Sequence, residues 1–288
     1  MPNTNLRNSN DFSGENFYVG IDVHKKSWSV TVRGFELEVA HFTQPPVPEV
    51  LASTLHNKFP AATLHSAFEA GFSGTSTHTQ LCKLGIDNII INPADIPATD
   101  KQKKNKTDLH DSRAIAKYLE KGLLHGIHVL SEKQQELRSL YRLRETKVRE
   151  KTRATNRLKS YLMYTGIPIP TNLTESKGIP VKMAKWLETV NLTTTAGTLC
   201  LKQYLQEYKD QRVKLNFITR ELKKFVEQSY SDPYKQLLTL PGYGPLVSIA
   251  LLTEIGDFER FKDTDQYNSY LGLIPWEDSS GDAIKNKG

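Results

Sequence analysis

Short apolar runs, some alternating and some continuous, divide the first third of the chain into strands and helices. Phe17–Val23 is apolar and bounded by polar residues, which predicts a strand. Ser27–Arg33 alternates, with Trp28, Val30 and Val32 on one face, and predicts a second strand. Gly34 is the expected turn and Phe35–Phe42 the third strand, which together make an antiparallel meander. Thr43-Gln44-Pro45-Pro46-Val47-Pro48 breaks the pattern. A helix is then expected over Pro48–Lys58, a fourth strand over Thr63–Glu69, a helix over Thr75–Leu84 and a fifth, apolar strand over Asn88–Asn92.

Beyond Asn92 the pattern changes. Pro93–Asn105 reads as a loop and ends in a basic stretch, Asp100 to Lys106, expected to be mobile. Thr107 or Asp108 can cap a helix running to about Lys121, because both side chains accept backbone N–H bonds. Ile127–Leu130 is a short extended stretch. Two long helices follow, about Glu132–Tyr164 and Thr198–Tyr230, with a short one around Val181–Val190 between them. Leu215, Ile218, Leu222 and Phe225 keep the spacing of a buried seam, and Leu137, Leu140, Val148, Leu158 and Leu162 form a weaker one. The expectation is an antiparallel helical hairpin or coiled coil. The last part reads as Leu237–Leu240, the turn Pro241-Gly242-Tyr243-Gly244-Pro245, a helix over Leu246–Ile255 and another over Thr264–Leu271. Pro275 to Gly281 is expected as a loop, and no packed element is expected to close the chain.

Three antiparallel strands followed by alternating helices and strands give a mixed α/β sheet, an order that matches the ribonuclease H-like arrangement. The expected fold is therefore α/β plus α. Its domains are a disordered leader over 1–16, a mixed sheet with helices over 17–130, a helical linker over 131–232 and a helical C-terminal part over 233–288.

Charge sharpens this picture. The chain of 288 residues carries a formal +6. Residues 131–164 hold ten Lys/Arg against four Glu, an excess equal to that of the whole chain. A localised basic stripe is an electrostatic footprint for nucleic acid. Arg138, Arg142, Arg149, Arg153 and Arg157 recur at spacings of four and seven and so fall on one helical stripe. Lys103, Lys104 and Lys106 add a second basic cluster. No run of about eighteen apolar residues exists, so no membrane span is expected, and Met1–Glu15 lacks the apolar stretch of a signal peptide, which points to the cytosol. Cys82 and Cys200 are far apart and make no zinc or disulfide pattern. The eight histidines lack ligand spacing and read as surface or packed residues.

The candidate chemistry lies in four acids. Asp22 and Glu69 each end a predicted strand, and Asp108 and Asp111 share one face at the start of a helix. Like charges brought together this way repel unless a cation neutralises them. Two Mg²⁺ ions about 3.5–4 Å apart can activate an attacking oxygen and stabilise a leaving one. The Pro-Gly-Tyr-Gly-Pro turn can direct backbone N–H groups of Gly242 and Gly244 at phosphates, in the helix-hairpin-helix mode of DNA binding, or be a plain turn between helices. Ser279 and Ser280 precede Gly281, and nothing in the residues themselves identifies a base for either.

Together these pieces resemble the DEDD transposases of insertion sequences, which include the Piv-type DNA invertases and the bridge-RNA-guided recombinases. The matching segments are Gly20-Ile21-Asp22-Val23-His24-Lys25, Phe68-Glu69-Ala70, Ile91-Asn92-Pro93, Lys106 to Ser112, Leu240 to Pro245, Leu251 to Asp257 and Tyr270 to Pro275. They occur in the family's order from about Phe17 to Gly288. The resemblance implies a RuvC-like nuclease domain, a helical linker used in assembly and a C-terminal transposase domain, here C-terminally incomplete. It implies that Asp22, Glu69, Asp108 and Asp111 are the Mg²⁺-binding tetrad. It implies that Ser279, with Ser280 as the fallback, is a nucleophile forming a covalent link to DNA. It implies element DNA and a structured guide RNA as partners, assembly as a dimer or tetramer, and a nucleoid setting. Two other readings stay open: a RuvC-like metal-dependent nuclease, and a nucleic-acid-binding remnant without strand exchange.

Overall fold

A computed structural model describes residues 11–73, 75–96, 108–173, 178–274, 276–280 and 283–287, with backbone alone at 108–110, 276–280 and 283–287. The expected cap at Thr107 and the basic cluster of Lys103, Lys104 and Lys106 lie outside the described residues. The chain divides into two compact units, one ending at Val129 and the other starting at Leu130.

The first unit is a five-stranded sheet in the order β3-β2-β1-β4-β5. Its strands are β1 (Asn16–Val23), β2 (Trp28–Gly34), β3 (Leu37–Gln44), β4 (Thr63–Glu69) and β5 (Asp87–Ile91). The first three pair antiparallel, while β4 runs parallel to β1 and β5 parallel to β4. Residues alternate across a strand, so Phe17, Val19 and Ile21 all reach one face. There they join Leu51 and Leu55 of α1 (Pro48–Lys58) and Leu81 of α2 (Ser76–Lys83) in the main core. On the opposite face lies α3 (Asp108–Glu120), whose Ile115 packs with Ala67, Ile91 and Leu124. The expected stretch Ile127–Leu130 is not a strand: Gly126 bridges Ile91, Ile127 N–H donates to the Ile90 carbonyl at 2.7 Å and Val129 packs on the main core.

The approach of α3 to β1 depends on one glycine. A Cβ at Gly20 would lie 2.1 Å from the Ser112 carbonyl oxygen and 2.4 Å from the Ala116 nitrogen. No side chain fits there without displacing the helix. Buried hydroxyls hold the same contact: Ser112 Oγ lies 2.9 Å from Thr31 Oγ1 and 3.2 Å from Ser29 Oγ. At the other end of α3, Glu120 accepts from Arg33 Nε at 2.6 Å and from the Glu36 backbone N–H at 2.9 Å.

That last contact corrects the expected turn. The hairpin turns at Phe35 and Glu36, with φ of 55° and 62°, and Gly34 instead closes β2. Gly34 is needed for space, since a Cβ there would meet the Phe17 ring at 2.7 Å. The left-handed turn residues are held from outside, Glu36 by Glu120 and Phe35 by edge-on packing on Phe17.

The second unit is built on α4 (Glu132–Tyr164) and α6 (Thr195–Ser229). Ser131 and Gln134 form a capping box at the start of α4. The two helices are antiparallel: Arg144 reaches Thr219 near one end and Arg157 reaches Glu207 toward the other. Their shared core is not a continuous coiled-coil seam. One cluster gathers Ala154, Leu158 and Leu162 with Leu201, Leu205 and Tyr208, covered by Met183 and Leu187 of α5 (Val181–Thr189). A second gathers Leu137, Leu222 and Val226 with Ile249 and Leu252. Between them Leu215 and Ile218 are half-buried, and Phe225 is 45% exposed because Val226 takes the inward position. Each cluster is closed by a further helix, so neither needs an uninterrupted heptad.

Three shorter helices follow, α7 (Ser231–Leu238), α8 (Pro245–Ile255) and α9 (Thr264–Tyr270). The C-terminal part is not wholly helical. β6 (Trp276–Ser280) pairs antiparallel with β7 (Ala283–Lys287), where a loop was expected.

Candidate functional site

The parallel pairing of β1 and β4 sets the geometry. Gly20 lies opposite Ala67 and Ile21 opposite Phe68, so Asp22 and Glu69 follow at the same edge of adjacent strands. Strand alternation puts Asp22 on the face of Gly20 and Glu69 on the face of Ala67. That face carries α3, whose Ser112 and Ala116 press on Gly20. Asp111 therefore enters the same corner. Asp22, Glu69 and Asp111 line one cavity of about 470 Å³, together with His24, Gly71 and Phe72. Asp108 starts α3 three residues before Asp111 on the same helical face, and its side chain is not among those described.

Asp22 is engaged as well as placed. Its Oδ2 lies 3.0 Å from His24 Nε2, with the carboxylate side chain 18% exposed and the imidazole 50% exposed. At the rim, Lys25 Nζ sits 5.7 Å from the centre of the Phe72 ring. His24 and Phe72 are the residues that sequence reasoning missed as site residues. The available signal for His24 was its position two residues past Asp22, which returns it to the same side of the strand end.

Oxygen donors without thiolates suit a hard divalent cation rather than zinc or copper. Among the described residues, no three Asp, Glu, His or Cys groups stand close enough to hold a single metal ion. The described carboxylates share a cavity without closing on one point.

The other predicted residues distribute differently. Ser279 and Ser280 lie on β6, with Ser279 opposite Ile284 and Ser280 opposite Ala283, and belong to the second unit. Gly242 and Gly244 lie in the turn between α7 and α8, where Gly242 has φ of +83° and Gly244 is the N-cap of α8. A Cβ at either glycine would meet nothing within 4 Å, so this turn is open on its outer side.

The arginine stripe is divided among several tasks. Arg138 donates to the Thr253 and Glu254 backbone carbonyls at 3.3 and 2.5 Å, at the C-terminal end of α8. A cation there is favoured by the helix dipole. Arg142 makes a two-pronged pair with the Glu254 carboxylate at 2.9 and 2.8 Å, and this contact raises its pKa above the ordinary guanidinium value. Arg157 donates to Glu207 at 2.7 Å. Arg149 and Arg153 are exposed to solvent. The regular spacing thus marks a common stripe but not a common role.

Comparison with known proteins identifies the class. Residues 19–166, just over half the chain, match a DEDD transposase family of the IS110 type, and residues 234–288 match the transposase IS116/IS110/IS902 family. Both compact units therefore carry transposase-family sequence. The chain belongs to the IS110 family of transposases. It is similar to the transposase for insertion sequence element IS1328 of Yersinia enterocolitica, 28% identical over 179 residues, which cover 62% of this chain and 52% of that one. A putative transposase of Sinorhizobium fredii, y4qE, is 24% identical over 276 residues, 94% of this chain and 66% of that one. The transposase for insertion sequence element IS1533 of Leptospira borgpetersenii is 25% identical over 268 residues, 90% and 75% of the two chains. The chain spans about half the length of the first of these relatives. Among the described residues, no helix is long and apolar enough to cross a membrane.

Proposed function

We propose that this chain acts in DNA strand cleavage and exchange, as the RNA-guided recombinase of an insertion sequence. The observation that carries the reading is the meeting of Asp22, Glu69 and Asp111 on one cavity at the ends of two adjacent parallel strands. Family membership supports it, and so does the first unit's mixed five-stranded sheet.

In this reading Asp22, Glu69, Asp108 and Asp111 hold Mg²⁺, in two ions, because a group of carboxylates offers the hard oxygen donors that cation needs. Bound there, the metal supplies Lewis-acid polarisation of a phosphodiester. His24 fixes the rotamer of Asp22 through their 3.0 Å contact. Ser279, with Ser280 as the fallback, is the nucleophile. Its Oγ attacks a phosphorus, the bond from that phosphorus to one DNA oxygen breaks, and that oxygen leaves as a hydroxyl carrying the proton given up by the serine, as the serine–DNA ester forms. The Gly242–Gly244 turn, whose Tyr243 and Gly244 N–H groups donate within the turn to the Leu240 and Gly242 carbonyls at 3.1 and 3.2 Å, offers its open outer side to backbone phosphates. Lys103, Lys104, Lys106, Arg149, Arg153 and Arg157 supply the sequence-independent attraction, while Arg138 and Arg142 hold α8 in place. Base pairing by a structured guide RNA selects the element ends and target, and the protein reads backbone shape. The helical linker over 131–232 joins protomers into a dimer or tetramer, with the transposase domain over 233–288. The setting is the cytosol, at the nucleoid.

The test is a strand-exchange assay with element-end DNA and the RNA that copurifies with the protein, with and without Mg²⁺. Asp22→Ala and Ser279→Ala should each abolish exchange. Robust exchange by either variant would sink the reading. A second reading, a plain metal-dependent nuclease, rests on the acids of the first unit alone. It expects metal-dependent cleavage with free DNA ends, unaffected by Ser279→Ala.

A further inference from the structure

The helical unit has a cavity of about 310 Å³ whose described lining includes Lys151 of α4, Arg212 and Asn216 of α6, and Tyr208. Among the described residues, no acidic one lines it. Lys151 and Arg212 are both half-buried, and among the described residues neither has an ion-pair partner. The neighbouring acids are engaged elsewhere: Glu150 by Lys147, Glu207 by Arg157, Glu188 by Lys209, and Asp210 by the Gln206 amide. Among the described residues, two cations thus share a recess without an acidic lining residue.

The recess is also built. Tyr208 is buried, and its hydroxyl donates to the Ile179 carbonyl at 2.8 Å, which fixes the floor. Asn216 adds an amide able to donate. Pro180 leads into α5 at the rim and gives that helix no side-chain cap, so the helix end adds to the positive field without creating it.

We infer that this cavity seats a phosphate group, held by Lys151 and Arg212 with Asn216 beside them. A planar guanidinium beside an ammonium is a pairing suited to a phosphate's charge and its several acceptor oxygens. Within the proposed function, on which this assignment of partner rests, the phosphate belongs to a nucleic-acid backbone lying along the α4–α6 hairpin. A free polyphosphate offers the same chemistry.

Two arms of one experiment separate these sources. The 288-residue chain and its Arg212→Gln, Lys151→Gln and Lys214→Gln variants are titrated with a fluorescein-labelled RNA hairpin and with a DNA duplex over a range of salt. Lys214 is an exposed cation of the same helix outside the cavity and serves as control. The expected result is about five- to tenfold weaker binding for each cavity substitution, with a salt slope reduced by about 0.7–0.9. Lys214→Gln should do less, and thermal unfolding should be unchanged in all three. Cavity variants that bind both nucleic acids like wild type, with the same slope, overturn the backbone assignment even where the proposed recombinase activity persists. In the second arm, melting temperature is followed against inorganic pyrophosphate. If wild type binds neither nucleic acid, the proposed function fails by itself. An Arg212-dependent stabilisation by pyrophosphate then keeps the phosphate site, and its absence removes it.

Discussion

In the sheet unit, Asp22, Glu69 and Asp111 are far apart in the chain yet line one cavity. In the helical unit, basic residues crowded within 131–164 are dealt out along a hairpin. Arg138 and Arg142 secure α8, Arg157 is paired across to α6, and Arg149 and Arg153 face solvent. The difference follows from geometry. Parallel strands return the chain to the same edge after each crossover, so like charges can be collected from distant positions. A long helix spreads its residues by about 1.5 Å each, so charges dense in sequence become separate sites in space. A cluster in sequence is weak evidence for a functional cluster, whereas acids at successive strand ends are strong evidence.

The sharpest way to break this contrast is to remove a collected charge. Asp22→Ala should reduce Mg²⁺-dependent strand exchange by a factor of about a thousand or more, with far-UV dichroism unchanged. Wild-type rates in the variant would mean that the shared cavity has no role. Next in size is the contact that brings Asp111 to the corner. Gly20→Ala should destabilise the sheet unit by about 3 kcal/mol or more, since backbone rather than a flexible side chain opposes the new Cβ. Urea unfolding should show that loss while the helicity of the second unit persists; a neutral result would show that α3 can move away freely.

The dispersed arginines allow a finer division. Arg138→Ala should cost about 1–2 kcal/mol, as it removes a charged donor from two carbonyls at the end of α8. Arg153→Gln should leave stability within about 0.5 kcal/mol but weaken nucleic-acid binding and lower its salt slope by about 0.7–0.9. If both variants affected binding alike and neither affected stability, the division of the stripe would be wrong. The smallest effect is on pH. The hydrogen bond from Lys209 holds the Glu188 carboxyl below its ordinary value of 4.5. Its contribution to stability is therefore present above that value and is lost as pH falls through the lowered one. Melting temperature below about pH 4.5 should decline slightly less steeply for Glu188→Gln than for wild type, and equal slopes would show that the pair contributes nothing.

Local patterns were legible wherever one face of an element is buried. The α1 helix, β4 and the long α4 helix run over the residues their periodicity indicates, because burial on one side imposes the 2.0 or 3.6 repeat directly. Turn chemistry was less legible. The β2–β3 turn uses Phe35 and Glu36 in left-handed conformation, since Gly34 is needed against Phe17 and Glu120 holds the turn from α3. The seam in α6 was misread by one position at Phe225, where a globular core closed by α8 replaces a heptad. The β6–β7 hairpin escaped notice because its five-residue strands carry Asp278, Ser279, Lys285 and Asn286, polar residues without an alternating apolar face.

By itself the sequence determined most of the elements, the strand-end positions of Asp22 and Glu69, the shared helical face of Asp108 and Asp111, and the likeness to a transposase family. These depend on residue order and local periodicity alone. Tertiary structure decided which of them meet. The parallel register of β1 and β4, and the space that Gly20 leaves for α3, bring Asp111 to the two strand-end acids. The packing of α8 on the hairpin decides which arginines stay available. Long-range pairing of this kind is settled by steric fit and burial between elements, which no local pattern encodes.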